Sequence, residues 1–356
     1  MTGHTSELAL STTADPDLVG MLTDLFTAYR SSRPTPTEAT DFDPALWARL
    51  DELGLTRLTA AEDRGGSGGS WIESAALLGL AAGAAAPVPL AENDLGDWLL
   101  SSAGLPNDGA LRTVCRPDPS GVAINVAFGR NAKSLVALWE DAEQWRVADV
   151  PADRVTMTHR RNVAGEPSDR VEFDLSDLDA GTLVDGEVGS QFHQRGALAR
   201  SVQVCGGMER VLELVLTHVG EREQFGRPIG KFQAVQVLVA DIATESSLAR
   251  AATDTAVALA AASDWHDPGL LFAVGVAKSC VGHASSVVVR NAHQVLGAIG
   301  TTLEHELHLM TRPILARRSD FGSVHEWDQT LSELAVSAGK DQLWSLITTG
   351  RASGHS

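Results

Sequence analysis

The chain has 356 residues, enough for two or three structural units with a buried core. Hydrophobic residues make up 44% and charged residues 21%, an ordinary globular composition that argues against disorder of the whole chain. Acidic residues outnumber basic residues by 46 to 28, and the formal charge of −18 argues against a nucleic-acid-binding surface. A few well-placed arginines can still bind a small anion within such a field.

The cysteines and the apolar segments point to a cytoplasmic protein. Cys115, Cys205 and Cys280 form no CxxC pair, which argues against a disulfide framework or a zinc ribbon. The stretch MTGHTSELALSTTADPD lacks the charged-then-apolar plan of a signal peptide. No uncharged stretch is long enough for a membrane span, and the run SAALLGLAAGAAAPVPL, broken by two prolines, predicts a buried helix.

The first third of the chain has helical periodicity from Asp15 to about Gly104. Three runs, DPDLVGMLTDLFTAYR, DPALWARLDELGL and SWIESAALLGLAAGAAA, each begin with an Asp or Ser suited to N-capping. The glycine loop EDRGGSGGS lies between the second and third runs. We interpret it as a flexible connection, because no GK[ST] or GxGxxG pattern surrounds it.

The middle of the chain, from about Ala110 to Asp185, changes to short alternating runs rich in β-branched residues. These runs are VAINVAF, SLVALWE, WRVADV, RVTMTH and RVEFDL, and they predict a small β domain. No nucleophile motif and no paired metal ligands occur among them.

After Gly189 helical periodicity returns in four apolar stripes, which predicts an up-and-down four-helix bundle. The stripes consist of Leu198, Val202, Cys205, Val211 and Val215; Val235, Leu238, Ile242 and Leu248; Leu271, Val274, Val281 and Val288; and Leu331, Leu334, Leu343 and Ile347. The expected fold is therefore mainly α, with an N-terminal helical domain (1–109), a shortened middle β domain (110–187) and a C-terminal four-helix bundle (188–356).

One stretch, REQFGRPIGKFQ (222–233), interrupts this periodicity with a tight turn that contains two arginines, two aromatic residues and two glycines. The longer line EREQFGRPIGKFQAVQVLVADI resembles the signature of the acyl-CoA dehydrogenase family. LWARLDELGLTRLTAAEDRGGSGGS resembles the N-terminal helix and glycine loop of that family, and QVLGAIGTTLEHELHLMTR resembles its late bundle segment. The family has the domain order predicted above.

The resemblance implies an FAD-dependent enzyme that removes two hydrogens from the α and β carbons of an acyl-CoA and passes electrons to an acceptor. Arg222 would meet the FAD pyrophosphate across a subunit interface, Phe225 would lie against the adenosine, and Gln233 would hydrogen-bond to the cofactor. Glycines 226 and 230 would allow close backbone approach. Gln294, Gly297 and Gly300 match the later cofactor-contacting run, although Ala298 replaces a usual glycine.

The chain departs from the family where the catalytic base is expected. One family location for the glutamate falls on Phe321 and the other on Ala197, and neither residue can take a proton. The alternatives are Asp320, and less favourably Glu326, which helix-charge complementarity explains adequately. The segment CRPDPSGVAINVAFGRNA also lacks the Thr-Glu-Pro and Ala-Gly-Ser-Asp motif that lines the flavin in the family.

Two further features have structural interpretations. Arg195 could face an anionic CoA or acyl group, but we predict that it caps a surface turn. Glu304 and His308 stand one helical turn apart, but no second Glu and His pair accompanies them, so we predict no metal site.

With these departures, the chain resembles a β-type subunit. Such a subunit completes the FAD site of a catalytic α-type partner in an α2β2 acyl-CoA dehydrogenase. Relatives of that type act on bulky CoA thioesters, including steroid fragments. Two alternatives stay open at this stage. The chain could be a self-sufficient homo-oligomeric enzyme that uses Asp320 or another base, or a structural or regulatory protein that kept only the scaffold.

Overall fold

The computed structural model describes residues 13–32 and 41–351, so the N-terminal stretch analysed for a signal peptide lies mostly outside it. Asp15, Asp43 and Ser70 cap three of the first four helices through their side-chain oxygens, as the sequence predicts. The four helices are α1 (Pro16–Ser31), α2 (Pro44–Glu52), α3 (Trp71–Gly83) and α4 (Leu90–Ser102).

Two small sheets follow. The first sheet has the strand order β1-β3-β4-β7, in which β1 and β3 are parallel and the other pairs are antiparallel. The second is antiparallel with the order β2-β6-β5. The elements are β1 (Arg112–Cys115), β2 (Val122–Ala127), β3 (Ser134–Asp141), β4 (Gln144–Pro151), β5 (Thr156–Thr158), β6 (Ser168–Glu172), the short helix α5 (Leu175–Asp179) and β7 (Thr182–Val184).

The four-stranded sheet is covered on both faces. On one face Leu135 packs with Val171 of the other sheet. On the other face Val136 packs with Leu99 of α4 and with Phe192 of the next helix. Because both faces are buried, its central strand β3 is apolar at successive positions rather than alternating.

The rest of the chain is helical and is built around one long helix, α6 (Glu187–Glu221). This helix packs against α3 and α4 as well as the later helices, so it joins all parts of the molecule. The crossing with α3 is very close, because a Cβ on Gly206 would lie 2.1 Å from the Gly79 carbonyl oxygen. The later elements are β8 (Glu223–Gln224), β9 (Arg227–Pro228), α7 (Gln233–Ser263), α8 (Leu270–Leu296), α9 (Leu307–Arg317) and α10 (Val324–Thr349).

The mainly helical fold with its small β middle region is confirmed, but three details differ from the sequence expectations. Strands β1 and β7 and helix α9 were not predicted. The fourth apolar stripe is not a core stripe, because Leu343 and Ile347 are 38% and 55% exposed. Leu248 of the second stripe is likewise 56% exposed. These side chains lie on outer faces of α7 and α10, and α10 is also kinked at Gly339.

One segment, Leu270–Thr301, has the length and apolar composition of a membrane-spanning helix. Half of its apolar window is buried inside the protein, where α8 packs against α6, α7 and α10. Core helices can have the same length and composition, so the packing of α8 in the bundle explains the apolar character of this segment.

Candidate functional site

The motif REQFGRPIGKFQ forms a two-residue β-hairpin at the C-terminal end of α6. Phe225 and Gly226 occupy its turn with φ of 52° and 78°, the signs required by a type I′ turn. The hairpin closes back on the helix end, because the amide of Ile229 donates to the carbonyl oxygen of Arg222 at 2.8 Å. A phenylalanine in this backbone conformation is unfavourable, since only Gly, Asn and Asp adopt it readily.

The side chains of this turn lie on the surface. Phe225 is 93% exposed and makes an edge contact with Phe232 at 6.1 Å between ring centroids. The guanidinium of Arg227 lies over the Phe232 ring at 4.3 Å. Arg222 is exposed, and its side chain has no hydrogen bond or ion pair with any residue that the structure describes. Arg222 and Phe225 are therefore accessible to a ligand or a partner chain.

The remaining predicted cofactor residues lie at the same end of the bundle. Ile229 of the hairpin and Ile299 of the later segment pack on one hydrophobic cluster that contains Val219 and Val295. Gln233 begins α7, and Gln294 lies in the last turn of α8, both with exposed side chains.

Backbone conformation and packing account for both glycines of the later segment. Gly297 ends α8 with φ 63° and ψ −138°, a conformation available essentially only to glycine. A Cβ on Gly300 would lie 2.8 Å from that of Leu296. The cofactor roles of these residues stay predictions.

The two family positions for the base lie in one hydrophobic cluster, and both are apolar. Ala197 is fully buried in α6. Phe321 packs edge-on against Phe192 at 5.5 Å and covers Gly196, where an added Cβ would lie 2.2 Å from the Phe321 ring. Trp327 holds this arrangement, because its indole N–H donates to the Phe321 carbonyl oxygen at 2.9 Å. No proton acceptor occupies either position.

Asp320, the first alternative base, is half-exposed and belongs to an ion cluster centred on the buried Arg200. Nε of Arg200 donates to its carboxylate at 3.0 Å, and the same guanidinium pairs with Glu92 of α4 and donates to Gln203 at 2.8 Å. Burial opposes the charge on Arg200, but Glu92 and Asp320 outweigh that cost and raise the pKa of Arg200 above its ordinary value. The Asp320 carboxylate is thus committed to a permanent counter-ion.

Glu326, the second alternative, is part of a capping box. Its carboxylate accepts from the amide of Ser323 at 2.7 Å, while the Ser323 hydroxyl accepts from the amide of Glu326 at 3.3 Å. The hydrogen bonds from Ser323 lower the pKa of Glu326. The helix start explains this residue, as predicted.

A cleft of about 400 Å³ lies between the second sheet and the end of α9, and the ion cluster forms part of its wall. A second buried ion pair crosses it, from Arg317 of α9 to Glu166 at 2.6 Å. Lys278 of α8, 1% exposed, donates to the carbonyl oxygens of Arg317 and Arg318 at 3.2 and 3.0 Å. Burial lowers the pKa of Lys278 to about 7. The ion pairs and Lys278 hold the segment that leads into Asp320 and Phe321.

The prediction for Arg195 was wrong, and the aromatic side chains around it were not predicted from the sequence. Arg195 does not cap a surface turn; it lies within α6, 7% exposed, between the rings of Trp98 and Trp265. Its neighbours in sequence, Leu198 and Val202, are core residues, and that spacing was the available signal that position 195 is also buried. The aromatic partners come from distant segments, so nothing local indicated them.

The side chains of the EHELH segment also make structural contacts. Glu306 pairs with Arg30 and Arg210, and Nδ1 of His308 lies 2.8 Å from the carbonyl oxygen of His305. Across 13–32 and 41–351, no group of three or more His, Cys, Asp or Glu side chains could hold a metal ion.

Comparison with known proteins defines the class. Residues 189–323, which include the hairpin, Ala197 and Phe321, match the family described as "Acyl-CoA dehydrogenase, C-terminal domain". The acyl-CoA dehydrogenase IpdE2 of Mycolicibacterium smegmatis is 26% identical over 273 residues, covering 75% of this chain and 80% of that protein. The chain is thus similar to acyl-CoA dehydrogenases over about three quarters of its length, and its residues 189–323 match the C-terminal domain of that family.

A longer protein and a solved structure are also similar to this chain. The acyl-CoA dehydrogenase FadE34 of Mycobacterium tuberculosis is 27% identical over 317 residues, and this chain spans 43% of its length. A chain of the ChsE4-ChsE5 complex from Mycobacterium tuberculosis has the same fold, with a TM-score of 0.78, 20% identity, and coverage of 92% of this chain and 98% of that one.

Proposed function

We propose that this chain is a non-catalytic subunit of a cytoplasmic, FAD-dependent acyl-CoA dehydrogenase complex that dehydrogenates an acyl-CoA at its α and β carbons. A catalytic α-type chain would supply the base and most of the flavin pocket, in an α2β2 assembly that passes electrons to a separate acceptor. The observation that supports this most directly is the contrast between the apolar pair Ala197 and Phe321 and the accessible pair Arg222 and Phe225.

The residues of the hairpin fit one end of the cofactor and not its reactive ring. FAD would accept the hydride, and its pyrophosphate carries the negative charge that an exposed, unpaired Arg222 can bind. Phe225 would offer its exposed face to the adenine. Gln233, Gln294, Gly297 and Gly300 would complete that end.

Exposed apolar side chains support assembly with another chain. Val237 and Leu248 of α7 are 55% and 56% exposed, and Val336 and Trp344 of α10 are 81% and 75% exposed. Contiguous exposed apolar side chains are typical of protein interfaces. ChsE4 and ChsE5 form a complex, and a neighbour with a TM-score of 0.77 is described as "Tcur3481-Tcur3483 steroid ACAD G363A variant". We therefore propose a bulky, steroid-like CoA thioester as the substrate class.

Co-expression tests the proposal. The chain would be purified alone and together with an acyl-CoA dehydrogenase-like protein encoded beside it, and flavin absorbance and acyl-CoA-dependent bleaching would be recorded. We expect little flavin alone and a yellow, active complex. A yellow, active chain on its own would instead support the self-sufficient enzyme, and a colourless pair would support the scaffold alternative.

A variant of the hairpin tests the role of Arg222. Arg222→Gln in the complex should lower bound FAD per complex about fivefold, because a neutral amide cannot replace a charge-assisted contact to phosphate. Arg49→Gln is the matched control, since Arg49 is an exposed arginine in a surface pair with Glu52 far along the chain. Equal FAD retention in the two variants would refute the role given to Arg222.

A further inference from the structure

Arg195 is a buried arginine without a polar partner. Its side chain makes no hydrogen bond or ion pair within the described part of the chain, and its Nε is fully buried without an acceptor. Other buried arginines are paired: Arg57 with Asp97, and Arg200 with Glu92. Burial lowers the pKa of Arg195 to about 9, although Asp264 and Asp94 partly oppose this. A buried unpaired cation is costly, so its retention requires an explanation.

Three tryptophans surround this guanidinium. Its carbon atom lies 4.3 Å from the ring centroid of Trp98, 4.4 Å from that of Trp265 and 6.0 Å from that of Trp71. Cation–π contacts stabilise the charge but leave the N–H groups unsatisfied. The indole nitrogens of Trp71 and Trp265 are also buried without an acceptor. The cluster therefore gathers hydrogen-bond donors from three residues and provides no acceptor for them.

These residues line a cleft of about 630 Å³, a volume suited to a small organic ligand. Polar side chains, including Ser101, Ser102 and Gln191, form part of its wall. Two of the acidic residues near Arg195 are engaged elsewhere: Asp97 pairs with Arg57, and Asp94 accepts from the Thr59 hydroxyl at 2.8 Å. Neither provides a counter-ion for Arg195.

The backbone at the cleft is strained. Asp264 and Trp265 have φ of 45° and 65°, two consecutive non-glycine residues in the left-handed region. This turn between α7 and α8 brings Trp265 edge-on to Trp71, with 4.7 Å between ring centroids. Strain of this kind is common at ligand-binding sites, where geometry is held by the surrounding structure.

We propose that this cleft binds a small monoanionic carboxylate with an aromatic or alicyclic body. The carboxylate would accept hydrogen bonds from the Arg195 guanidinium, and the body would lie against the indole rings. Asp264 lines the same cleft, so ligands with two or more negative charges would be repelled.

The site is separate from the one assigned above. Arg195 and Ala197 are two residues apart on α6, which places them about 200° apart around the helix. Arg195 therefore faces away from Ala197, and the proposal for its cleft does not depend on the proposed subunit role.

Calorimetric titration of the purified full chain tests this proposal. Sodium benzoate should bind with one site per chain, and benzamide, which has the same ring without the charge, should bind at least tenfold more weakly. Inorganic phosphate should also bind at least tenfold more weakly, because of the acidic side chain of Asp264. Absence of saturable benzoate binding, or equal binding of benzamide, would overturn the proposal.

Two variants link binding to the cluster. Arg195→Met should abolish benzoate binding without lowering the unfolding midpoint, because it removes a buried charge that has no partner. Trp98→Phe keeps a ring over the guanidinium and should weaken benzoate binding severalfold. Arg49→Gln is the control and should bind as the wild type does. Unchanged binding in Arg195→Met would show that benzoate binds elsewhere, and the assignment to this cleft would be wrong.

Discussion

The middle of α6 and its C-terminal end differ in how completely their polar groups are satisfied. In the middle, Arg200 is buried and has carboxylate partners from two distant segments, and Phe321 fills the space beside Gly196. At the end, Arg222 is exposed and has no partner among the described residues, and Phe225 is held in an unfavourable conformation. The paired charges and filled space in the middle of α6 stabilise the chain. The end of α6 costs stability at Phe225, but its exposed side chains are available to bind.

The largest effect on stability is expected when the positive charge of Arg200 is removed. Arg200→Met should lower the free energy of unfolding by about 3–5 kcal/mol, because Glu92 is left buried and uncompensated. Denaturant unfolding would measure it, with Arg222→Met as a control expected to change stability by less than about 0.5 kcal/mol.

A double variant sharpens the same comparison. Glu92→Met combined with Arg200→Met should recover much of the loss, since replacing both ions of a buried pair by apolar residues is often neutral. Equal effects of the Arg200 and Arg222 single variants would contradict the contrast between the two regions.

The buried lysine beside this cluster predicts a pH dependence. Since burial lowers the pKa of Lys278 from 10.5 to about 7, the unfolded chain binds its proton between these values and the folded chain does not. Stability from this residue therefore rises with pH across that window. Between pH 7 and 9.5, wild type should gain roughly 1–3 kcal/mol more than Lys278→Met does. The exposed Lys340→Met should behave as wild type; matching pH profiles of the two variants would refute the assignment.

Steric filling at the base position can be tested at Gly196. Gly196→Ala places a methyl group against the Phe321 ring and should destabilise the protein by about 1–3 kcal/mol. Gly186→Ala is the control, because no atom lies within 4 Å of a Cβ added there. Phe321→Leu should relieve the cost of Gly196→Ala; additive losses in the double variant would show that the two side chains do not compete for space.

The smallest effect is expected at the hairpin. Phe225→Asn should raise the free energy of unfolding by about 0.5–1 kcal/mol, because Asn-Gly suits a turn with two positive φ angles. The same variant should reduce FAD in the co-expressed complex. A less stable variant that kept its FAD would contradict the interpretation that Phe225 is retained for binding.

Much of the fold could be predicted because its signals are local. The caps at Asp15, Asp43 and Ser70 and the apolar periodicity of α6 depend on residues within a few positions of each other. The sequence also placed apolar residues at both base positions. Strand β1 escaped prediction because it is short and buried at every position, so it lacks alternation.

The contacts that define the sites could not be predicted, because their partners are remote in sequence. Arg200 meets Glu92 and Asp320 across 108 and 120 positions. The Arg195 cluster likewise needs Trp71, Trp98 and Trp265 from three separate elements. A single sequence shows that such residues are present but does not show which of them meet.

The ion cluster around Arg200 has a consequence for how the chain unfolds. It joins α4, α6 and the segment before α10, while Arg317 and Glu166 join α9 to the β region. Opening any one of these parts exposes an unpaired charge in the others, so partial unfolding is penalised. The helical and β regions should therefore unfold as one cooperative unit, with equal calorimetric and van't Hoff enthalpies in a single transition.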